Sequence, residues 1–216
     1  MILSITGFMG CGKSSVGRKL SQLLCCPFMD LDEMIETEAG KSIPEIFAEI
    51  GESGFRQMEH RVLSSVLSVK TEEGEDRATR GTKAGGPQAK RSGGVSEANV
   101  RTSSVEQTET EEGTTILEII SLGGGTVMTR ECAEIVRERT ICVYLRATVK
   151  TLSEHLEGET EGRPMLSGDV RERVKELMDL RASTYESTAH IIIDIDGQSV
   201  DDIAATVKAC VENKSI

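Results

Sequence analysis

The sequence predicts an α/β fold in three layers, with a five-stranded parallel sheet between helices. Three observations carry that prediction. Short apolar runs of strand length alternate with stretches whose apolar residues recur at helical spacing. The first run, Ile2 to Thr6, leads directly into GFMGCGKSS at residues 7–15, where two glycines flank four residues and Lys-Ser follows. A later run, Ile116 to Leu122, ends in three consecutive glycines.

Taken in order, Ile2 to Thr6 reads as a buried parallel strand, and Val16, Leu20, Leu23 and Leu24 mark the helix after the loop. Pro27 to Met29 is a second strand, closed by Asp30-Leu31-Asp32. A short helix covers Ile43 to Ile50, with Ser42 and Glu45 as its capping box and Gly51 as its stop. A longer helix then carries Phe55, Met58, Val62, Val66 and Val69 on one face. From Lys70 to Thr115 the only large aliphatic residues are Val95, Val100 and Val105. That stretch cannot bury enough apolar surface to offset its ordering entropy, so residues 70–115 are predicted to be a disordered insertion. Order resumes with the strand Ile116 to Leu122, a helix through Ile135 and Val136, and a strand from Thr140 to Leu145. Leu152 and Leu156 mark the next helix, and the polar, glycine-containing residues 157–168 read as a mobile loop. A helix from Asp169 to Ser187, the strand Ile191 to Asp194 and a helix through Val200, Ile203, Ala204 and Val207 complete the pattern.

Composition narrows the function. A chain of 216 residues suits one domain with its own core. The net charge of -11 argues against nucleic acid as the main partner, because phosphate backbones select basic faces. No apolar run is long enough to span a membrane, and no basic, cleavable segment precedes the loop at residue 7, so a cytoplasmic protein is expected. The six cysteines form no C-x-x-C pair and only three histidines accompany them, which speaks against zinc and for reduced thiols.

The chemistry begins at Gly7-Phe-Met-Gly-Cys-Gly12-Lys13-Ser14, which matches G-x-x-x-x-G-K-[ST]. Such a loop turns its backbone N–H groups toward phosphate oxygens at the positive end of a helix. Lys13 is placed to reach the β- and γ-phosphates and the Ser14 hydroxyl to ligate Mg²⁺. The loop needs N–H groups and not a thiol, so Cys11 reads as filler. Acid comes from Asp30 and Asp32, which point to one side if the segment is extended. One then supports the metal while the other accepts a substrate proton, although two acids after a strand also serve as helix caps. Arg56 lies three residues before Glu59 on an amphipathic helix, where a solvated face is the plain alternative. Arg163-Pro164 suits a lid arginine closing over a nucleotide. Arg181, near a helix end, also suits an interaction with the helix dipole.

With these residues in view, the sequence resembles the shikimate kinases. The resemblance rests on GFMGCGKSSVGRKL, FMDLDEMIE, SIPEIFAEIGESGFRQMEHRVL, SLGGGTV, RPML and LRASTYESTA, in that order along nearly the whole chain except residues 70–115. It implies a P-loop kinase fold in one domain, with residues 33–68 as substrate-binding helices and residues 157–168 as the lid. The implied reaction moves the ATP γ-phosphoryl group to the 3-hydroxyl of shikimate, on the route to aromatic amino acids. Matched position by position, Gly10, Cys11, Gly12, Lys13, Ser14 and Ser15 contact ATP phosphates, and Ser14 and Asp30 support Mg²⁺. Asp32 holds a shikimate hydroxyl and acts as base. Arg56 and Arg181 bind the carboxylate with backbone near Gly124. Arg163 reaches the phosphates from the lid, with Lys13 and Asp32 at the reacting centre, and Gln198 lies near adenine.

The sequence departs from the family in two places. The family often carries another Arg shortly before the lid Arg-Pro, where this chain has His155-Leu156 followed by Glu157, Glu159 and Glu161. That implies weaker ATP binding or replacement by His155. The other departure is the insertion itself. Competing expectations are a gluconate-type kinase, since two arginines also suit a sugar acid, and a non-catalytic nucleotide-binding regulator. The expected enzyme is a monomer whose partners are shikimate and ATP.

Overall fold

The computed structural model describes residues 1–75, 116–157 and 169–213, without the side chains of residues 69–75. The first half comprises β1 (Ile2–Thr6), α1 (Lys13–Leu24), β2 (Phe28–Asp30), α2 (Leu31–Ala39) and α3 (Ile43–Glu75). The second comprises β3 (Glu118–Ser121), α4 (Arg130–Arg139), β4 (Ile141–Arg146), α5 (Val149–Leu156), α6 (Val170–Thr188), β5 (Ile191–Asp194) and α7 (Val200–Glu212). A single 3-10 turn, Thr126–Met128, separates β3 from α4. The expectations for the insertion beyond Glu75 and for the lid beyond Glu157, Arg163 included, lie outside the described residues.

All five strands run parallel, in the order β2-β3-β1-β4-β5. The central strands are buried on both faces because helices cover both. β1 and β3 are buried throughout, and β4 is buried as far as Leu145. β5 lies at the edge and alternates, with Ile191 and Ile193 buried and Ile192 and Asp194 exposed. On one side α1 packs against α7; the other helices are linked through contacts of α2 with α3, α3 with α4, α4 with α6 and α5 with α6.

Register explains where the chemistry falls. Ile5 of β1 lies opposite Ser121 of β3, and Ser121 lies opposite Asp30 of β2. The carboxyl ends of these three strands are therefore level, and the segments that follow them open onto one crevice. At the amino end of the sheet, the Leu117 N–H donates to the Met1 carbonyl at 2.8 Å. Arg139, two residues before β4, reaches Ser68 Oγ at 3.5 Å.

Local signals account for most boundaries. Glu45 reaches back to the Ser42 N–H at 2.8 Å, as the capping box requires, and the Ser42 hydroxyl donates to the same carboxylate at 2.6 Å. Gly51, at φ 68° and ψ 179°, breaks α3 where a helix stop was expected. The helix then runs on to Glu75, past the point at Lys70 where the apolar pattern ends. One expectation is corrected: Asp30 and Asp32 do not share an extended strand. α2 starts at Leu31, and Asp30 caps it by accepting from the Asp32 N–H at 3.1 Å. Among the described residues no helix is long and apolar enough to cross a membrane.

Candidate active site

Gly12 closes the loop after β1 with φ 82°, a left-handed conformation that leaves the first turn of α1 pointing its free N–H groups into the crevice. Lys13 Nζ donates to the Phe8 carbonyl at 3.1 Å, folding its cation back over the loop. The Ser14 hydroxyl donates to Asp30 Oδ2 at 2.5 Å, and Ser121 Oγ lies 3.4 Å from the same hydroxyl. Asp30 thus uses one oxygen on the loop serine and the other on the start of α2. A serine hydroxyl and a carboxylate beside a phosphate loop are hard oxygen donors. Mg²⁺ commonly takes one or two such donors together with phosphate and water oxygens, so this pair fits it.

Asp32, in the first turn of α2, faces a different environment. Burial pushes its carboxyl up from 3.8 to about 6, helped by the neighbouring Asp30 carboxylate; Lys13 opposes the rise, while Glu59 and Glu36 add to it. A carboxylate held in that range can take a proton near neutral pH, which suits a general base.

The three glycines after β3 make the approach to these acids possible. A Cβ on Gly123 would stand 2.7 Å from Asp32 Oδ1, and one on Gly125 would stand 2.3 Å from Arg56 Nη2. Side chains there would expel the acid or the guanidinium. Arg56 is further held by Glu59, whose Oε2 lies 2.7 Å from Nη1. Glu59 is itself only 1% exposed and accepts from Thr126 Oγ1 at 2.6 Å. The guanidinium is therefore fixed from below by a buried carboxylate. Arg181, 7% exposed on α6, carries the second cation, 5.9 Å from the Phe8 ring centroid. Its neighbour Tyr185 stacks on Tyr144 and donates its hydroxyl to the Gly124 carbonyl, pinning the glycine run to α6.

These groups share one cleft of about 1100 Å³. Gly10, Gly12, Lys13, Ser14 and Ser15 line it from the loop, with Asp30 and Asp32 at the end of β2 and Arg56, Gly124 and Arg181 beyond. Two predicted residues stand apart. Cys11 is buried in the core and does not line the cleft, and its N–H donates to the Phe8 carbonyl within the loop. Gln198 lies in the β5–α7 loop, and its amide donates to the Asp194 carbonyl at 2.5 Å. Glu59 is the functional residue that sequence reasoning passed over. Its spacing of three from Arg56 was the available signal, but burial and the Thr126 contact come only from the tertiary fold.

A family model described as shikimate kinase matches residues 9–72 and 103–212. The chain belongs to the shikimate kinase family. It is thus a kinase, a phosphotransferase. The shikimate kinase of Dictyoglomus turgidum is 32% identical over 203 residues, spanning 93% of this chain and 91% of that protein. That of Zymomonas mobilis is 33% identical over 184 residues, 85% of this chain and 78% of the relative. Among solved structures, the shikimate kinase from Acinetobacter baumannii in complex with shikimate superposes with a TM-score of 0.72 at 25% identity, covering 97% of this chain and 92% of that one.

Proposed function

We propose that this shikimate kinase transfers the γ-phosphoryl group of Mg²⁺-bound ATP to the 3-hydroxyl of shikimate. The observation that carries the reading is the convergence in one cleft of the phosphate loop, an acid with a carboxyl near 6, and two arginines, Arg181 buried and Arg56 partly buried. A substrate with one carboxylate and several hydroxyls needs guanidinium groups for the first and a carboxylate for the second.

Each residue then has a part. Loop N–H groups and Lys13 hold the phosphates and offset their charge, which is the largest contribution a protein makes to phosphoryl transfer. Ser14 and Asp30 hold Mg²⁺, which when bound neutralises charge on the phosphates. Arg56 and Arg181 grip the shikimate carboxylate, and Glu59 and Gly125 keep Arg56 where it can do so. Asp32 orients the 3-hydroxyl and accepts its proton as the new O–P bond forms and the bond to the bridging oxygen of ATP breaks. Arg163 is the lid arginine and Gln198 a neighbour of the adenine in this reading, and the enzyme works as a cytoplasmic monomer.

The test is ADP release measured with shikimate and with gluconate as acceptors, with the product identified by phosphorus NMR. Shikimate-stimulated release with phosphate on the 3-oxygen is expected. Stimulation by gluconate alone would overturn the acceptor assignment.

A further inference from the structure

The phosphate loop is tied to a residue 145 positions away in sequence. His155 Nδ1 lies 2.9 Å from the Gly10 carbonyl oxygen, and His155 lines the cleft. A carbonyl can only accept, so Nδ1 carries the proton and donates, which fixes the imidazole tautomer when the ring is neutral. The adjoining side chain, Leu156, fills the space beside Gly10; a Cβ there would stand 2.9 Å from Leu156 Cγ. The last turn of α5 therefore grips the top of the loop with a polar contact and an apolar one.

That contact acts on a connected set of groups. The Gly10 carbonyl and the Cys11 N–H belong to one planar peptide. The Cys11 N–H donates to the Phe8 carbonyl at 3.3 Å, and the same carbonyl receives Lys13 Nζ at 3.1 Å. Holding the Gly10 oxygen thus sets the plane of a peptide whose other side shares an acceptor with the phosphate-binding lysine. At its far end α5 is anchored too: Asp196 of the β5–α7 loop accepts from the Thr148 N–H at 3.1 Å and from its hydroxyl at 3.0 Å. α5 is a strut between that loop and the phosphate loop.

We propose that His155 is a positioning residue of the nucleotide site: its Nδ1–H latches the Gly10 carbonyl and holds the phosphate loop in the curl that receives ATP. The proposal rests on the assignment of ATP as donor. It ascribes to His155 a role in donor affinity and none in shikimate binding.

Three substitutions separate the latch from simple packing. Asn places an N–H on the atom attached to Cγ, where His carries Nδ1; Gln places its nitrogen one bond further out; Leu has none. His155 is exposed, so all three should fold, and thermal unfolding checks this. In His155→Leu and His155→Gln the KM for ATP should rise about fivefold, the size expected for one lost hydrogen bond. The KM for shikimate should stay constant, and His155→Asn should recover most of the ATP affinity. An ATP KM unchanged in His155→Leu, or raised equally in His155→Asn, overturns the latch while leaving ATP as donor. Absence of ATP-dependent turnover in the unsubstituted protein overturns the donor assignment and the latch with it.

Discussion

The guanidinium of Arg56 occupies the place that a side chain on Gly125 would take, with Nη2 2.3 Å from where the Cβ would stand. Because Glu59 holds the other side of that group at 2.7 Å, the arginine has little freedom to step aside. Gly125→Ala should therefore raise the KM for shikimate roughly tenfold to a hundredfold, the range for a lost charge-assisted contact, with a smaller effect on the KM for ATP. Initial rates with each substrate varied in turn distinguish the two. Equal effects on both constants would count against an acceptor role for Arg56.

Asp32 is expected to set the acid limb of the pH profile. Below about pH 6 its carboxyl is protonated and cannot accept from the substrate hydroxyl, so kcat/KM for shikimate should fall there. Asp32→Asn should lower kcat by about two to four orders of magnitude with ATP binding nearly unchanged. Calorimetric titration with ATP supplies the control. A kcat within a few-fold of the parent would remove Asp32 as base.

The same raised carboxyl costs stability, and the sign can be worked out. Between about 3.8 and about 6 the folded protein retains a proton that the unfolded chain has released. Stability therefore falls as pH rises through that window, and the deficit persists above it. At about pH 7.5 Asp32→Asn should be more stable than the parent by roughly 1–3 kcal/mol, and the difference should shrink as pH approaches about 4. Urea unfolding at neutral and mildly acidic pH measures it; a gap that is constant with pH would contradict the assignment.

Glu59→Gln tests the carboxylate beneath Arg56. Gln can still accept from Thr126, but it withdraws a negative charge from both Arg56 and Asp32. Shikimate should bind more weakly, and the acid limb of kcat/KM should move below its position in the parent, since one of the charges that lift Asp32 is gone. Movement of the limb to higher pH is the result this picture cannot accommodate.

Tyr185→Phe removes the hydroxyl that meets the Gly124 carbonyl. The change should cost about 1 kcal/mol and lower the melting temperature by about 2–4 °C. Because that bond holds the glycine run against α6, the KM for shikimate should also rise. A stability loss with no change in KM would confine Tyr185 to packing.

Much of this site was readable from the sequence because its signals are local. The Gly12-Lys13-Ser14 run follows a strand and opens a helix, and a contiguous motif needs no knowledge of the rest of the chain. The strand at residues 191–194 and the capping box at Ser42 were equally local. Asp30 and Asp32 were legible as acids but not in their geometry, because whether a strand continues or a helix starts depends on a single cap hydrogen bond. Arg181 on a helix looks the same to a sequence reader whether solvated or buried; its burial comes from α6 packing on the sheet. The partners Glu59–Thr126 and His155–Gly10 are 67 and 145 residues apart, so nothing short of the tertiary fold could join them.

The two ends of the sheet answer to different demands. Among the described residues, the groups assigned to catalysis gather where strands finish, whereas Ser68 and Leu117, either side of the long polar segment, sit where strands begin, beside Arg139 and Met1. For the experimenter, the same separation marks Leu117, 66% exposed at that far end of the sheet, as a place to attach a fluorescent reporter away from the cleft.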